Sequence, residues 1–410
     1  MIRALVASVL LLASLTLAHA GAAPGDNSRT RALAGYQHDL LSVLVLRADA
    51  THLLGAALLA RDLDAQPPGQ ASTRLLQRAA QADPDNPAIA WASLANCDAK
   101  AGNCPNAEAM ARLRQLAPDN AAVWILALDV AARDGDRRAE LDSLHKAAAA
   151  RVYNDYGGDL LKALTLAATA LPVPDQALRD YTGGAPGRTG PASAQAFLAY
   201  GRADAIAGPS FFPLMALCDP DAGGAAATNR EPCRKLARVL AWGSSPRARA
   251  VGLHLKQILA DDAEERTSAE SDMRDLTWQL RNYSHLVLKA LRDQSLAVQL
   301  LRLGQSGGSE LSRMSALLQH EGIPTRAPSD AEPASPDSSP ARTSSVAPAA
   351  PAAPAPASST PAAPAGAPAP SPAAAPDASP AGSSAADAAS DVPSAPPHGA
   401  DSSPQAVRGW

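Results

Sequence analysis

Two stretches decide the fold of this chain, 84-PDNPAIAWASLAN-96 and 118-PDNAAVWILALDVAARDGD-136. Pro84-Asp85-Asn86 recurs as Pro118-Asp119-Asn120, an offset of 34 residues, and each triplet opens an Ala-rich apolar run holding one tryptophan, Trp91 or Trp124. Pro, Asp and Asn punctuate turns, whereas Ala and Leu favour helix interiors, so each triplet is a turn followed by a helix. A helical hairpin leaves an apolar face that only a stacked neighbour can bury, which is why such a unit repeats at a fixed period.

Composition extends the helical reading along the chain. Apolar residues make up 46% of it but aromatics only 3%, so Ala and Leu do most of the apolar work, a bias toward helix over strand. From Asn27 to Gly322 helical patterns alternate with Gly, Pro and Asp/Asn turns. Beyond Ala150 helices are expected at Tyr153–Ala170, Ala192–Ala207, Phe211–Leu217, Arg234–Trp242 and Arg247–Ala260. The loop from Cys218 to Cys233 reads as an irregular surface excursion because of its Pro and Gly content. No Gly or Pro occurs from Leu253 to Leu303, and Thr267 with Glu270 suggests a capping box that starts a long helix near Ser268. In it Met273, Leu276, Leu280, Tyr283, Val287 and Ala290 alternate three and four apart. Two readings stay open: a coiled-coil seam forming a homodimer through residues 268–303, or a long helix laid on the body, the second preferred.

Residue by residue, the repeat resembles the tetratricopeptide family. Trp124 matches the early aromatic of the family's first helix and Gly135-Asp136 its inter-helix turn. Leu144 and Ala147 fall on the second-helix packing face, and Leu76 and Ala79 precede Pro84 in the same way one register upstream. The match spans about residues 50–150, in degenerate form: Trp91 sits one residue late, Leu128 replaces a small residue, and Arg151-Val152-Tyr153 stands where the family places proline. The resemblance implies an all-α fold, a right-handed α-solenoid of helical hairpins. Pro84, Trp91, Pro118, Trp124 and Gly135 are its repeat-packing residues.

Both ends read differently from the body. Residues 1–20, MIRALVASVLLLASLTLAHA, combine Arg3, an apolar stretch and Ala18-His19-Ala20, the pattern of a cleaved secretory signal. From Ile323 to Trp410 lie 20 of the 36 prolines and no lysine, and residues 343–376 carry no charge. Such an Ala/Pro/Ser segment buries too little apolar surface to offset its ordering entropy and is expected to be a disordered spacer. The domains expected are therefore 1–20 signal, 21–150 repeats, 151–322 further helices and 323–410 tail.

An exported chain with four cysteines favours disulfides over free thiols. Of three possible pairings, Cys97 with Cys104 and Cys218 with Cys233 are preferred, since each pair is close in sequence and straddles a turn signal. A four-thiolate zinc site lacks the required spacing. In the repeat register the first pair staples one hairpin, worth about 2–3 kcal/mol by loop entropy.

Charge and motif narrow the function classes. The formal charge is −4, most of it in the tail; the body reads as near-neutral with no cluster of Lys and Arg, which argues against nucleic acid or an anionic membrane as partner. His38, His52, His145, His254, His285 and His320 are scattered and read as surface or packing residues. Asp219-Pro220-Asp221 opens a calcium-like loop, but its twelfth position is Arg230 where that loop needs Glu. Asp261, Asp262, Glu264 and Glu265 would have to face each other across a cleft to hydrolyse a glycan, which neighbours on one helix turn do not. No nucleophile elbow, phosphate loop, metal set or cofactor motif is present. The function expected is a non-catalytic scaffold of the bacterial cell envelope, periplasmic or secreted, that binds a protein or peptide without stable membrane insertion. An envelope hydrolase with a site assembled from distant carboxylates, and a self-associating assembly protein, are the alternatives.

Overall fold

Short polar side chains set the helix starts. Asp49, Asn86, Asn106, Asn120 and Asp136 each accept a hydrogen bond from a backbone N–H in the first turn that follows. That bond satisfies one of the donors a helix leaves unpaired at its beginning. A computed structural model describes residues 24–61, 63, 70–97, 104–184, 189–203, 208–221 and 224–328. The expected signal, residues 1–20, and all but the first six residues of the expected tail lie outside the described residues.

Among the described residues the chain is all-α, with sixteen helices and no strand. First come α1 (Pro24–Leu44), α2 (Ala50–Ala60), α3 (Gln70–Ala82), α4 (Pro87–Ser93), α5 (Ala107–Leu116), α6 (Ala121–Asp134) and α7 (Arg137–Ala149). Next are α8 (Gly157–Ala168), α9 (Asp175–Thr182), α10 (Pro191–Ala203), α11 (Phe212–Cys218), α12 (Gly224–Ala241) and α13 (Pro246–Ile258). The last three are α14 (Ala263–Ala290), α15 (Gln294–Ser306) and α16 (Glu310–His320).

Helices α2 and α3, α4 and α5, and α6 and α7 pack in pairs. Between α6 and α7, Gly135 takes φ +70° and Asp136 caps the next helix at once, so the chain reverses within two residues. Leu76, Ala79, Leu144 and Ala147 are buried, as is Leu128. Cys97–Cys104 and Cys218–Cys233 are disulfides, with Cα atoms 5.1 and 5.7 Å apart.

Contacts limited to neighbouring hairpins would make a one-dimensional stack. Here α8 lies at the centre instead, touched by α1, α2, α4, α10 and α15. Leu160, Leu161, Ala163, Leu164, Thr165, Ala167 and Ala168 are all buried, because a helix apolar around most of its circumference needs neighbours on every side. Two glycines let them approach. A Cβ on Gly55 of α2 would lie 2.2 Å from the Ala163 carbonyl oxygen, and one on Gly304 of α15 would lie 2.5 Å from Thr165 Oγ1. At the far end of α8 the Tyr36 hydroxyl lies 2.9 Å from Ala168 O and 2.7 Å from Leu171 O, where Gln195 also donates.

The 34-residue mark occurs a third time, at Asn154. Buried Asn120 donates from Nδ2 to Asn154 O (2.7 Å) and to the Tyr156 hydroxyl (3.1 Å). Its Oδ1 accepts from the backbone N–H of Ala122 and of Asn154. Arg151 and Val152 extend this clasp by donating from their backbone N–H to Asp119 O, and Ala121 N–H donates to Val152 O. Those bonds hold residues 151–156 out of the helix expected from Tyr153, so α8 begins at Gly157.

Other expectations need correction. The loop between Cys218 and Cys233 becomes helical at Gly224, and α12 contains Pro232. Its run from Ala225 to Glu231 is rich in helix formers, and Asn229 ties it to α11 through Leu217 O. Helix α14 starts at Ala263 under an Asp262 cap, not near Ser268. It ends at Ala290, where Asp293 captures the N–H groups of Ser295 and Leu296 and begins α15. In line with the preferred of the two readings, the apolar row of α14 faces this chain's own core: Leu276 and Ala290 are buried, and Met273, Leu280, Tyr283 and Val287 pack against the core. The body also extends past Gly322. Trp278 and Gln279 donate to the Pro324 and Thr325 carbonyls, Ala327 N–H donates to Asp275, and Ile323 packs on the core.

Two comparisons test this architecture. Gly55→Ala is expected to destabilise the protein by about 1–3 kcal/mol through overpacking. Gly35→Ala, at an exposed position of α1 with nothing within 4 Å of the new Cβ, is expected to stabilise it by about 0.5–1 kcal/mol, both read by urea unfolding. Asn120→Ala, which strands several polar groups, is expected to cost about 2–4 kcal/mol, against about 1 kcal/mol for loss of the simple cap in Asn86→Ala.

Candidate functional site

Among the described residues five large apolar side chains are strongly exposed, and three of them, Val152 (53%), Phe212 (81%) and Trp242 (88%), flank buried Tyr153. Each is turned outward because its neighbour is drawn in. Val152 directly precedes Tyr153. The Phe211 ring packs on Tyr153 with centroids 6.1 Å apart, leaving Phe212 to solvent. Gly243 sits against Tyr153 so closely that a Cβ would lie 3.1 Å from Cδ1, and Ser244 N–H donates to Tyr153 O. Trp242 is thereby presented at the turn between α12 and α13.

Desolvation pushes the Tyr153 hydroxyl well above its ordinary range, and Asp155 adds to the shift while a bond with Ser245 opposes it. The ring is a neutral support. Ser244 Oγ joins Asp155, and Leu311 N–H donates to Ser244 O, so the α12–α13 turn is pinned to the loop before α8 and to α16.

The hairpin carrying the tryptophan is basic. Residues 228–260 contain seven Arg and Lys against one acid, Glu231. Some of this charge is met locally: Asp261 pairs with Arg230 at 2.9 Å and with Arg234, Glu265 lies 3.6 Å from Arg234, and Lys235 lies 3.5 Å from Glu231. The two arginines hold the Asp261 carboxyl below its usual range. Arg238, Arg247, Arg249 and Lys256 form no ion pair with a described residue. Arg238 lies one helical turn before Trp242, and the Arg247 guanidinium stands 5.6 Å from the Phe211 ring centroid. A shallow pocket lined by Arg234, Ala237, Arg238, Lys256, Leu259 and Glu265 adjoins them. His254 on α13 adds no charge at neutral pH, since burial lowers its pKa. The face is thus cationic around exposed aromatic rings, a combination suited to acidic and apolar groups together.

The residues singled out from sequence lie elsewhere. Trp91 is buried, its ring 5.5 Å from that of Tyr156. Trp124 is half-buried, donates to Pro118 O at 2.7 Å, and lies beneath Arg114 and Lys146. The Pro84 carbonyl accepts from Arg112. These residues lie between Pro84 and Trp124, remote in the chain from the Trp242 turn. Of the acidic run, Asp261 and Glu265 engage arginines of α12 and Asp262 caps α14. Among the described residues no group of three His, Cys, Asp or Glu is placed to hold a metal, and no helix is long and apolar enough to cross a membrane.

Averaging over the whole body hid this face. A charge count in windows of about thirty residues isolates 228–260, and the expectation of no Lys/Arg cluster is corrected by it. The exposure of Trp242 has no comparable signal, since Trp91 in a similar Ala-rich context is buried. No protein-family model, curated protein or solved structure matches this chain.

Because Trp242 supports nothing beneath it, Trp242→Ala is expected to leave the thermal unfolding midpoint almost unchanged, within about 0.5 kcal/mol. Tyr153→Ala is expected to cost about 3–5 kcal/mol, since Phe211 and Gly243 both rest on the ring.

Proposed function

We propose that this chain is an exported, non-catalytic scaffold of the cell envelope that binds a protein or peptide partner. In this reading residues 50–150 are tetratricopeptide-like hairpins, a local solenoid, and the Ala/Pro/Ser-rich segment is a spacer. The observation that carries the binding role is Trp242, 88% exposed at the tip of a basic hairpin whose Gly243 rests on the same Tyr153 ring as Phe211. A structurally idle tryptophan flanked by arginines has the composition of an interface anchor. The two disulfides support an oxidising compartment. Acidic and apolar side chains in the partner would complement this face.

A photo-reactive benzophenone amino acid at position 242, activated in intact cells of the native host, tests the role. The expected result is a discrete adduct with an envelope protein, weakened at least about tenfold by Arg238→Glu with Arg247→Glu, a loss of about 1.4 kcal/mol or more. Absence of any protein adduct, or reactive thiols on the unreduced protein, would overturn the reading.

A further inference from the structure

The hairpin of α12 and α13 closes on Gly252. A Cβ there would lie 2.8 Å from the Ala237 carbonyl oxygen, so the two backbones meet with no side chain between them. That approach brings side chains of both helices round one recess: Arg234, Ala237 and Arg238 from α12, and Lys256 and Leu259 from the end of α13, with Glu265 from α14. Ala237 and Leu259 are buried and give the recess an apolar floor. Such a floor excludes water on one side and strengthens the field of the charges at the rim.

Those charges do not cancel. Asp261 and Glu265 offset Arg230 and Arg234, which they engage. Arg238 and Lys256 pair with no described acid, so two positive charges stand uncompensated at one recess. A carboxylate would neutralise one of them. A phosphomonoester carries about 1.5 to 2 negative charges at neutral pH on three acceptor oxygens, and so matches both. The guanidinium fork suits two of those oxygens and the ammonium group the third. The recess is shallow and open to solvent, so it takes one terminal group and leaves the rest of a ligand outside. We infer that this recess between α12 and α13 binds the terminal phosphoryl group of a phosphomonoester, with Arg238 and Lys256 as its counter-cations. The site needs no protein partner; it adds a small anionic ligand to the hairpin that presents Trp242.

The test is isothermal titration calorimetry of the purified full-length protein at low ionic strength, with inorganic phosphate, methyl phosphate, dimethyl phosphate and acetate. Phosphate and methyl phosphate are expected to bind. Dimethyl phosphate and acetate, each with a single negative charge, are expected to bind at least about tenfold more weakly. Arg238→Gln with Lys256→Gln is expected to weaken methyl phosphate at least about tenfold, and Arg238→Gln alone, at an exposed position, at least about threefold. Arg281→Gln with Arg292→Gln removes two exposed cations towards the other end of α14 and is expected to leave binding within about twofold. Circular dichroism checks that each variant is folded. Co-sedimentation with phosphatidylcholine vesicles carrying phosphatidic acid, a monoester, or phosphatidylglycerol, a diester, separates the sources of the group. Binding of soluble methyl phosphate assigns a free ligand, and sedimentation with phosphatidic acid alone assigns a lipid headgroup; both support the site when the Arg238 and Lys256 changes abolish them. Acetate or dimethyl phosphate binding as tightly as methyl phosphate would overturn the inference. So would equal sedimentation with phosphatidylglycerol, undiminished binding in the double variant, or no binding of any phosphomonoester. Failure here with partner adducts at position 242 still formed in cells sinks the phosphoryl site alone, whereas phosphate binding without such adducts sinks the protein-binding reading alone.

Discussion

Helix α8 has to be covered on nearly every side, and α1, α2, α4, α10 and α15 are arranged to cover it. Its leucines and alanines cannot be buried by one adjacent hairpin, so helices from both ends of the described chain, α1 and α2 and then α10 and α15, converge on it. Close convergence needs small residues at the crossings. Gly55 and Gly304 supply them, and Tyr36 with Gln195 closes the carbonyl end where helical hydrogen bonding stops.

The start of α8 transmits this constraint to the surface. Asn120 clasps Asn154 and fixes the loop that carries Tyr153, and Tyr153 in turn receives Phe211 and Gly243. Phe212, next in sequence to Phe211, and Trp242, next to Gly243, are left in solvent as a consequence. Backbone bonds among buried segments are expensive to leave unmade, which is why the turn geometry prevails over burial of the tryptophan. The functional candidate is thus a by-product of a structural junction, placed on rigid elements rather than on a free loop.

Electrostatics give that face its chemical character. Arg230 and Arg234 are occupied by Asp261, and these exposed pairs contribute little to stability. Arg238 and Arg247, which pair with no described acid, set the sign of the local field instead. A chain of net negative charge therefore presents a positive face at one hairpin, which favours recognition of acidic groups.

Local sequence determined the helical class and the turns at Asn86 and Asn120 and favoured the cysteine pairings, because capping, turn chemistry and short loop closure act over a few residues. It also marked Leu76 with Ala79, and Leu144 with Ala147, as the packing faces of two helices, and all four are buried. It extended α14 through Asp293 because a missing Gly or Pro does not reveal an Asp cap, and it lost the third repeat mark at Asn154 behind Arg151-Val152-Tyr153. Only the tertiary structure decided that α8 is central, that the seam on α14 faces inward, and that Trp91 is buried while Trp242 is not. Periodicity states which side chains share a helix face; which face is covered depends on contacts between segments a hundred residues apart, and no local pattern encodes those.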